Sequence, residues 1–413
     1  MTAPASQPGE LAVGDEVDVE VGPVAHGGHC VARHEGRVVF VRHTLPGERV
    51  RVRITEAKPG QRFVRGDAVA VLAASEHRVK PPCPYAGPGL CGGCDFQHVD
   101  LAEQRRLKAS VVREQFARLA GLDVPVDVEP VPGDREGLGW RTRVEFAVDS
   151  QGTPGLRRHR THDVLAVQDC LIAHDRVREA GVLGRRWAGE RAVDAVAPSG
   201  DEAVVVVPVP SGESNAPAVR EVVRVGDWEG TFEVGSRGFW QVHPGAAATF
   251  VGAALDAVAP QPGERAVDLY AGVGLFALAL ADAVGPTGAV LAVEAEGPAM
   301  ASARRNTRSR PWVELRPGRV DRVLKPLVRQ GIRADLVVLD PPRTGAGRLV
   351  AQQVARLGPR AVAYVACDPA ALARDTAYLK DAGYGLRALR AFDAFPMTHH
   401  VECLAVFEPR EAP

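Results

Sequence analysis

The stretch Arg265–Glu294, RAVDLYAGVGLFALALADAVGPTGAVLAVE, decides how the fold is read. It opens on a short apolar run, Arg265–Tyr270, and breaks at Gly272 and Gly274. It continues as a longer apolar run, Leu275–Val284, turns at Gly285 and Gly288, and ends on a second short run, Ala289–Glu294. Short, long and short runs separated by glycines predict strand, helix, strand. The same rhythm extends outward. Helices are predicted at Pro298–Arg308, Leu349–Leu357 and Ala370–Ala382. Strands are predicted at Ala334–Asp340, Ala361–Ala366, Leu386–Phe392 and Glu402–Phe407. This alternation predicts an α/β domain over residues 236–413, a mainly parallel sheet covered by helices on both faces.

Upstream the rhythm changes. Residues 11–74 carry short β-rich runs between glycine turns: Glu16–Val21, Arg37–Arg42, Glu48–Ile54 and Arg65–Leu72. Such spacing predicts a small β-barrel. Residues 1–10 read as disordered. Residues 75–235 are less regular and predict a central α+β domain. They hold a cysteine cluster and a helical stretch from Leu101 to Ala120, where Leu107, Val111, Val112, Phe116 and Leu119 recur at helical spacing. Strands follow at Arg141–Val148, Val164–Gln168 and Ala203–Val209, and Pro210–Pro217 is a polar loop.

The chain has 413 residues, of which 46% are hydrophobic and 24% charged, as expected of a globular protein. No apolar run approaches the ~20 residues that span a bilayer. Met1–Glu10 has neither the basic start nor the apolar core of a signal peptide, so a cytoplasmic protein is expected. Net charge is −1, but it is unevenly spread: nine basic and three acidic residues lie between Arg33 and Arg65. A basic segment can bind phosphates, although a solvated charged face explains it equally well.

In the loop Asp268-Leu-Tyr-Ala-Gly-Val-Gly274 the glycines let the backbone approach a ligand. Glu294, 20 residues past Gly274, ends the next strand, where a carboxylate accepts hydrogen bonds from ribose. Asp340 ends a later strand. The dinucleotide fingerprint is absent, since position 277 is Ala and the motif begins with Asp268. Pyrophosphate avoids anions at a helix N-terminus. The sulfonium and amino group of S-adenosylmethionine suit an acidic loop mouth better than NAD does.

Asp340-Pro-Pro-Arg343 closes one strand, Cys367-Asp-Pro369 the next, and His400-Val-Glu402 lies near the last. In an open α/β sheet these would face one crevice. Singly, each has a dull explanation, such as a buried small cysteine. Together they fit methylation at C5 of uracil. That chemistry needs a thiolate to add at C6 and a base to remove the C5 proton.

On these residues the last region resembles the RNA uridine C5-methyltransferase family. The carrying motifs are Gly238-Phe-Trp-Gln-Val242, Asp268–Gly274, Asp340-Pro-Pro-Arg343, Ala366-Cys-Asp-Pro-Ala-Ala-Leu-Ala-Arg-Asp375 and His400-Val-Glu402. Residues 11–74 resemble the TRAM module, an RNA-binding barrel. The resemblance implies a Rossmann-like class I methyltransferase domain using S-adenosylmethionine. It implies that Gln241, Asp268, Tyr270, Gly272, Gly274, Glu294 and Asp340 form the cofactor site. Cys367 is then the nucleophile and Glu402 the base. It also implies that the Leu101–Ala120 helix packs on the catalytic domain. The family commonly has Ser-Cys-Asn-Pro where this chain has Ala366-Cys-Asp-Pro369, and a carboxylate at Asp368 is expected to raise the thiol pKa if ionised and close.

Cys83, Cys91-Gly-Gly-Cys94 and the distant Cys170 form a metal-type constellation. The residues alone leave iron–sulfur and zinc level; the resemblance tips the balance to a structural 4Fe–4S cluster. Cys30 and Cys403 read as packing residues. The expected partner is structured RNA met by a monomer, with ribosomal RNA favoured over transfer RNA by resemblance. Candidate phosphate contacts are Arg42, Arg49, Arg51, Arg53, Arg157, Arg158 and Arg160. Trp140 is equally a substrate contact or a packing residue. Rival readings are an amino-nitrogen methyltransferase, a cytosine C5-methyltransferase and a non-catalytic iron–sulfur RNA-binding protein.

Overall fold

The computed structural model describes residues 11–201, 203–209 and 216–410. The expected disordered start and most of the Pro210–Pro217 loop lie outside the described residues.

The first unit is a closed five-stranded barrel. Its strands are Glu16–Ala25, His29–His34, Arg37–Arg42, Arg49–Glu56 and Phe63–Ala73. Period-two patterning builds it. In Arg49–Glu56 the residues Val50, Val52 and Ile54 point inward and are fully buried, while Arg49, Arg51 and Arg53 point out. The strand His29–His34 had no expectation from sequence, because Cys30 and Ala32 are its only apolar inward residues alongside two histidines. Phe96, Val99 and Leu107 join the barrel's core and close one end of it.

The catalytic sheet has eight strands. From one edge they are Val313–Pro317, Ala289–Glu294, Arg265–Leu269, Leu336–Leu339, Ala361–Ala366, Glu402–Pro409, Tyr384–Asp393 and Val128–Pro130. The first five run parallel, and Glu402–Pro409 pairs antiparallel to Ala361–Ala366 on one side and Tyr384–Asp393 on the other. Apolar helices cover both faces. Leu275–Val284 is buried almost all round on one, and Gly347–Leu357 and Pro369–Asp381 lie on the other. The helix Val320–Arg329 and the helix Ala246–Val258 were not foreseen.

The central region contributes a separate five-stranded sheet that includes Arg143–Val148 and Ala192–Val196. It also lends two elements to the catalytic sheet. Val128–Pro130 adds the edge strand, pairing with Ala391–Asp393. The long helix before it runs as an α-helix over Leu101–Gln115 and widens into a π-helix over Phe116–Ala120. Its Leu107 joins the barrel core, whereas Ala109, Val112 and Phe116 join the core under the catalytic sheet. One helix therefore fixes the barrel against the catalytic domain.

Asp100 caps that helix by accepting from the Glu103 amide at 2.9 Å. Two buried polar residues one turn apart, Gln104 and Lys108, tie it to the loop before the last strand. Gln104 accepts from the Met397 amide at 2.8 Å. Lys108 donates to Asp393 at 2.6 Å and to the Phe395 carbonyl at 3.0 Å.

Candidate active site

The crevice opens at the carboxyl ends of the parallel strands, as open α/β sheets require. The loop after Arg265–Leu269 is shaped by three positive φ angles, at Tyr270 (65°), Gly272 (56°) and Gly274 (90°). A side chain at Gly272 would meet nothing within 4 Å, so this turn faces open space. Glu294 clasps it: one carboxylate oxygen accepts from the Gly272 amide at 2.8 Å, the other from Glu296 at 2.7 Å. Each oxygen keeps a further lone pair for a ligand.

Asp268 lies beneath the loop, fully buried, and neither of its oxygens has a well-formed hydrogen bond. Burial, with Asp340 and Glu294 adding to it, pushes its pKa up to about 8, although the Ala277 amide pulls the other way. Burial raises Asp340 to about 7. Tyr270 is half-buried against the apolar layer below the sheet, and burial raises its hydroxyl to about 12. Gln241 is buried beside Trp240, while Phe239 of the same motif stands 75% exposed.

Cys367 and Glu402 come together through the antiparallel ladder. Ala366 pairs with Cys403, so the next residues on the two strands are Cys367 and Glu402. Cys367 remains partly accessible and lines a cavity of about 150 Å³, while Glu402 is buried. Burial raises the thiol to about 12, and the charges of Glu402 and Asp340 add to that. Glu402 is itself raised well above the usual carboxylate range by burial and by Asp340. Arg343 opposes both shifts, because its cation favours thiolate and carboxylate alike. Sequence reasoning quoted Arg343 within its motif without giving it this electrostatic part.

The carboxylates that act most strongly on Cys367 are Glu402 and Asp340. Asp368 is engaged through both of its oxygens. One oxygen caps the helix Pro369–Asp381 through the Ala371 amide at 2.8 Å, and the other meets His26 of the barrel at 3.1 Å. The placement of His26 at the active site had no signal in the sequence.

Among the described residues no group of three or more His, Cys, Asp or Glu is arranged to hold a metal ion. Cys83, Cys91, Cys94 and Cys170 nevertheless line one cavity of about 380 Å³. Cys30 and Cys403 are buried packing residues.

The basic candidates divide. Arg42 is corrected: it is buried, 3.9 Å from Asp67 and 3.7 Å from Asp95, and cannot reach a phosphate. Arg51 and Arg53 lie on the barrel surface, paired with Asp18 at 2.8 Å and Glu16 at 2.7 Å. Arg157 pairs with Glu145, Arg160 with Glu56, and Arg158 donates to the Gly89 carbonyl. Trp140 is a packing residue, buried and stacked on His243. No helix among the described residues is long and apolar enough to cross a membrane.

Comparison with known proteins bears on the whole chain. Residues 10–69 match the TRAM domain model, and residues 214–410 match the model of tRNA (uracil-5-)-methyltransferase. An uncharacterized RNA methyltransferase of Streptomyces avermitilis is 50% identical, the match covering 96% of this chain and 99% of the relative. One of Bifidobacterium longum is 39% identical over 95% and 96% of the two chains. The crystal structure of Pyrococcus abyssi tRNA (uracil-54, C5)-methyltransferase in complex with S-adenosyl-L-homocysteine superposes with a TM-score of 0.67 at 21% identity, covering 94% of this chain and 99% of that one. By its relatives and its two matched domains, the chain is an RNA methyltransferase and belongs to the RNA uridine C5-methyltransferase family.

Proposed function

We propose that this enzyme uses S-adenosylmethionine to methylate C5 of a uridine in a structured RNA, through a covalent bond between Cys367 and C6 of the ring. The observation that carries the reading is that Cys367 and Glu402 are the residues immediately beyond the Ala366–Cys403 pair, with Asp340 near enough to act on the thiol. When bound, S-adenosylmethionine supplies an electrophilic methyl group on a cationic sulfonium. The acidic side chains of Glu294, Asp340 and Asp268, which act on one another, would suit that cation, and Gln241, Tyr270, Gly272 and Gly274 would complete its site.

The Cys367 sulfur adds to C6, and the ring's electrons move to make C5 nucleophilic. Once C5 has taken the methyl group, with the sulfonium's S–CH3 bond broken and S-adenosylhomocysteine left, Glu402 accepts the C5 proton. The C6–S bond then breaks and the thiolate returns. A carboxylate of raised pKa is the stronger proton acceptor once ionised, and the Arg343 cation favours that ionised form. The uridine must leave its stack to reach the sulfur.

Cys83, Cys91, Cys94 and Cys170 belong to this reading as ligands of a structural 4Fe–4S cluster, with zinc as the alternative. What supports this is that all four cysteines line the same cavity, the Gly93 amide donates to Cys91 Sγ at 3.4 Å, and Gln97 donates to Cys94 Sγ at 3.2 Å. Iron and sulfide analysis of anaerobically purified protein separates cluster from zinc. All seven cysteines are free of disulfides, which fits a reducing cytoplasm.

Large-subunit ribosomal RNA is the favoured substrate, because barrel and cysteine cavity occur together; transfer RNA is the alternative. The test is to map 5-methyluridine in both RNAs from cells with and without the gene. Loss of one ribosomal site is expected. Retention of every 5-methyluridine overturns the reading, and loss of 5-methylcytosine instead transfers it to cytosine.

A further inference from the structure

The barrel's first turn reaches the nucleophile. Ala25, His26 and Gly28 line the same small cavity as Cys367, Asp368 and Arg343. The turn is seated at two points. At one, His26 Nε2 lies 3.1 Å from Asp368 Oδ2. At the other, the Gly28 backbone lies so close to His399 that a Cβ on Gly28 would fall 2.6 Å from the His399 Cβ. Asp368 is thus shared. Its Oδ1 holds the helix N-terminus through Ala371, and its Oδ2 is held by a residue of another domain, more than 300 positions earlier in the chain. With both oxygens engaged, the carboxylate next to the nucleophile in sequence is held between the helix and the barrel.

We propose that His26 is a positioning residue for the nucleophile: as an imidazolium it holds the Asp368 carboxylate on the barrel side and offsets its charge, so that seating of the barrel readies Cys367. This rests on Cys367 as the reacting thiol and adds a second domain to its control. The charged groups around the sulfur come from several elements. Glu402 and Asp340 oppose its ionisation and Arg343 favours it. Lys108 and His400 also line the cavity. His26 is held toward its charged form by Asp368 and, more weakly, by Glu114 of the long helix, against its own burial. Without His26, Asp368 becomes one more uncompensated negative charge beside a thiol that already faces two.

The test is the rate at which N-ethylmaleimide labels Cys367 in the full-length protein, read on its own peptide by mass spectrometry from pH 6.5 to 9. His26→Gln keeps the shape and drops the charge. At pH 6.5 it is expected to label about threefold to tenfold more slowly than wild type, as befits losing a nearby cation, and the gap is expected to narrow as pH rises and the imidazolium titrates. Asp368→Asn retains the cap and removes the anion. Added to His26→Gln it should restore the wild-type rate, and His26→Lys should restore it as well. Equal rates for wild type and His26→Gln at pH 6.5 overturn the proposal, and so does failure of Asp368→Asn to rescue. The labelling needs no RNA. A wild-type protein that methylates no uridine therefore counts against the proposed function, while the order of labelling rates still decides this one.

Discussion

Two of the wholly buried carboxylates, Glu48 and Asp268, are treated in opposite ways. Glu48 of the barrel accepts two hydrogen bonds from Arg78, both at 2.6 Å, and others from the Leu45 and Ser75 amides at 2.9 and 3.1 Å. Burial would raise it, but these four donors together hold it below the usual carboxylate range. Asp268 of the catalytic sheet has no such partners and is pushed up to about 8. A satisfied buried charge is architecture. An unsatisfied one sits where a ligand is to supply the missing partner.

The sharpest way to break this contrast is at the thiol. Cys367→Ala should lower 5-methyluridine formation by at least about 10⁴-fold, since no other group can add to C6. Full activity in that variant, measured on RNA digests, would falsify the covalent reading and favour an amino-nitrogen acceptor. Next in size is Glu402→Gln, expected to cost about 10²–10⁴-fold. Here the useful signature is accumulation. Without a proton acceptor the methylated ring stays bonded to sulfur, so a protein–RNA adduct should survive a denaturing gel. A slow variant with no adduct would move the proton acceptor elsewhere.

The barrel gives the third test. Glu48→Gln should destabilise folding by about 2–3 kcal/mol, because it leaves the Arg78 guanidinium poorly matched. Turnover per folded molecule should change less than about twofold. The sign with pH follows from the lowered pKa of Glu48. Its contribution is present above the unfolded value near ~4.3 and is lost as pH falls through the folded value. Denaturant titrations at pH 7 and pH 3 should therefore show the gap between variant and wild type closing in acid. A gap that persists at pH 3 would mean that the glutamate acts through packing.

How far the sequence reveals this division depends on the range of the interactions. Leu275–Val284, Ala289–Glu294 and Ala361–Ala366 are legible to the residue, because each is an apolar run of fitting length bounded by glycine or a charged residue. The alternation in Arg49–Glu56 is equally plain. Cys367 and Glu402 were both singled out from motif and strand position, and the ladder brings them together. What was not legible is long-range. Val128–Pro130 is three residues long, and its partner Ala391 lies over 260 positions away, so no local pattern marks it. His26 is one histidine in a turn until the barrel docks. Sequence shows that Asp368 follows the thiol, and not that His26 and the Ala371 amide hold its two oxygens. Arg42 was grouped with the surface arginines because its burial follows from Asp67 and Asp95, which no spacing rule links to it.

The smallest expected effect tests the crevice itself. Because Asp268 has a raised pKa, the folded protein holds a proton there that the unfolded chain has lost, from about pH 4 to about pH 8. Wild-type stability therefore carries a penalty that grows as pH rises through that window and stays constant above it. Asp268→Asn removes the titration while keeping the shape. It should be no more stable than wild type at pH 4 and about 1–2 kcal/mol more stable at pH 8, in the absence of ligand. A cation bound in the crevice lowers the pKa of Asp268 and offsets the penalty. S-adenosylmethionine should accordingly stabilise the wild type more at pH 8 than at pH 6, and the Asn variant by the same small amount at both. If instead Asp268→Asn is destabilised at pH 8, the carboxylate is satisfied in the free protein by partners such as the Ala277 amide. The two buried acids would then be alike, and the contrast between barrel and crevice would fail at its clearest point.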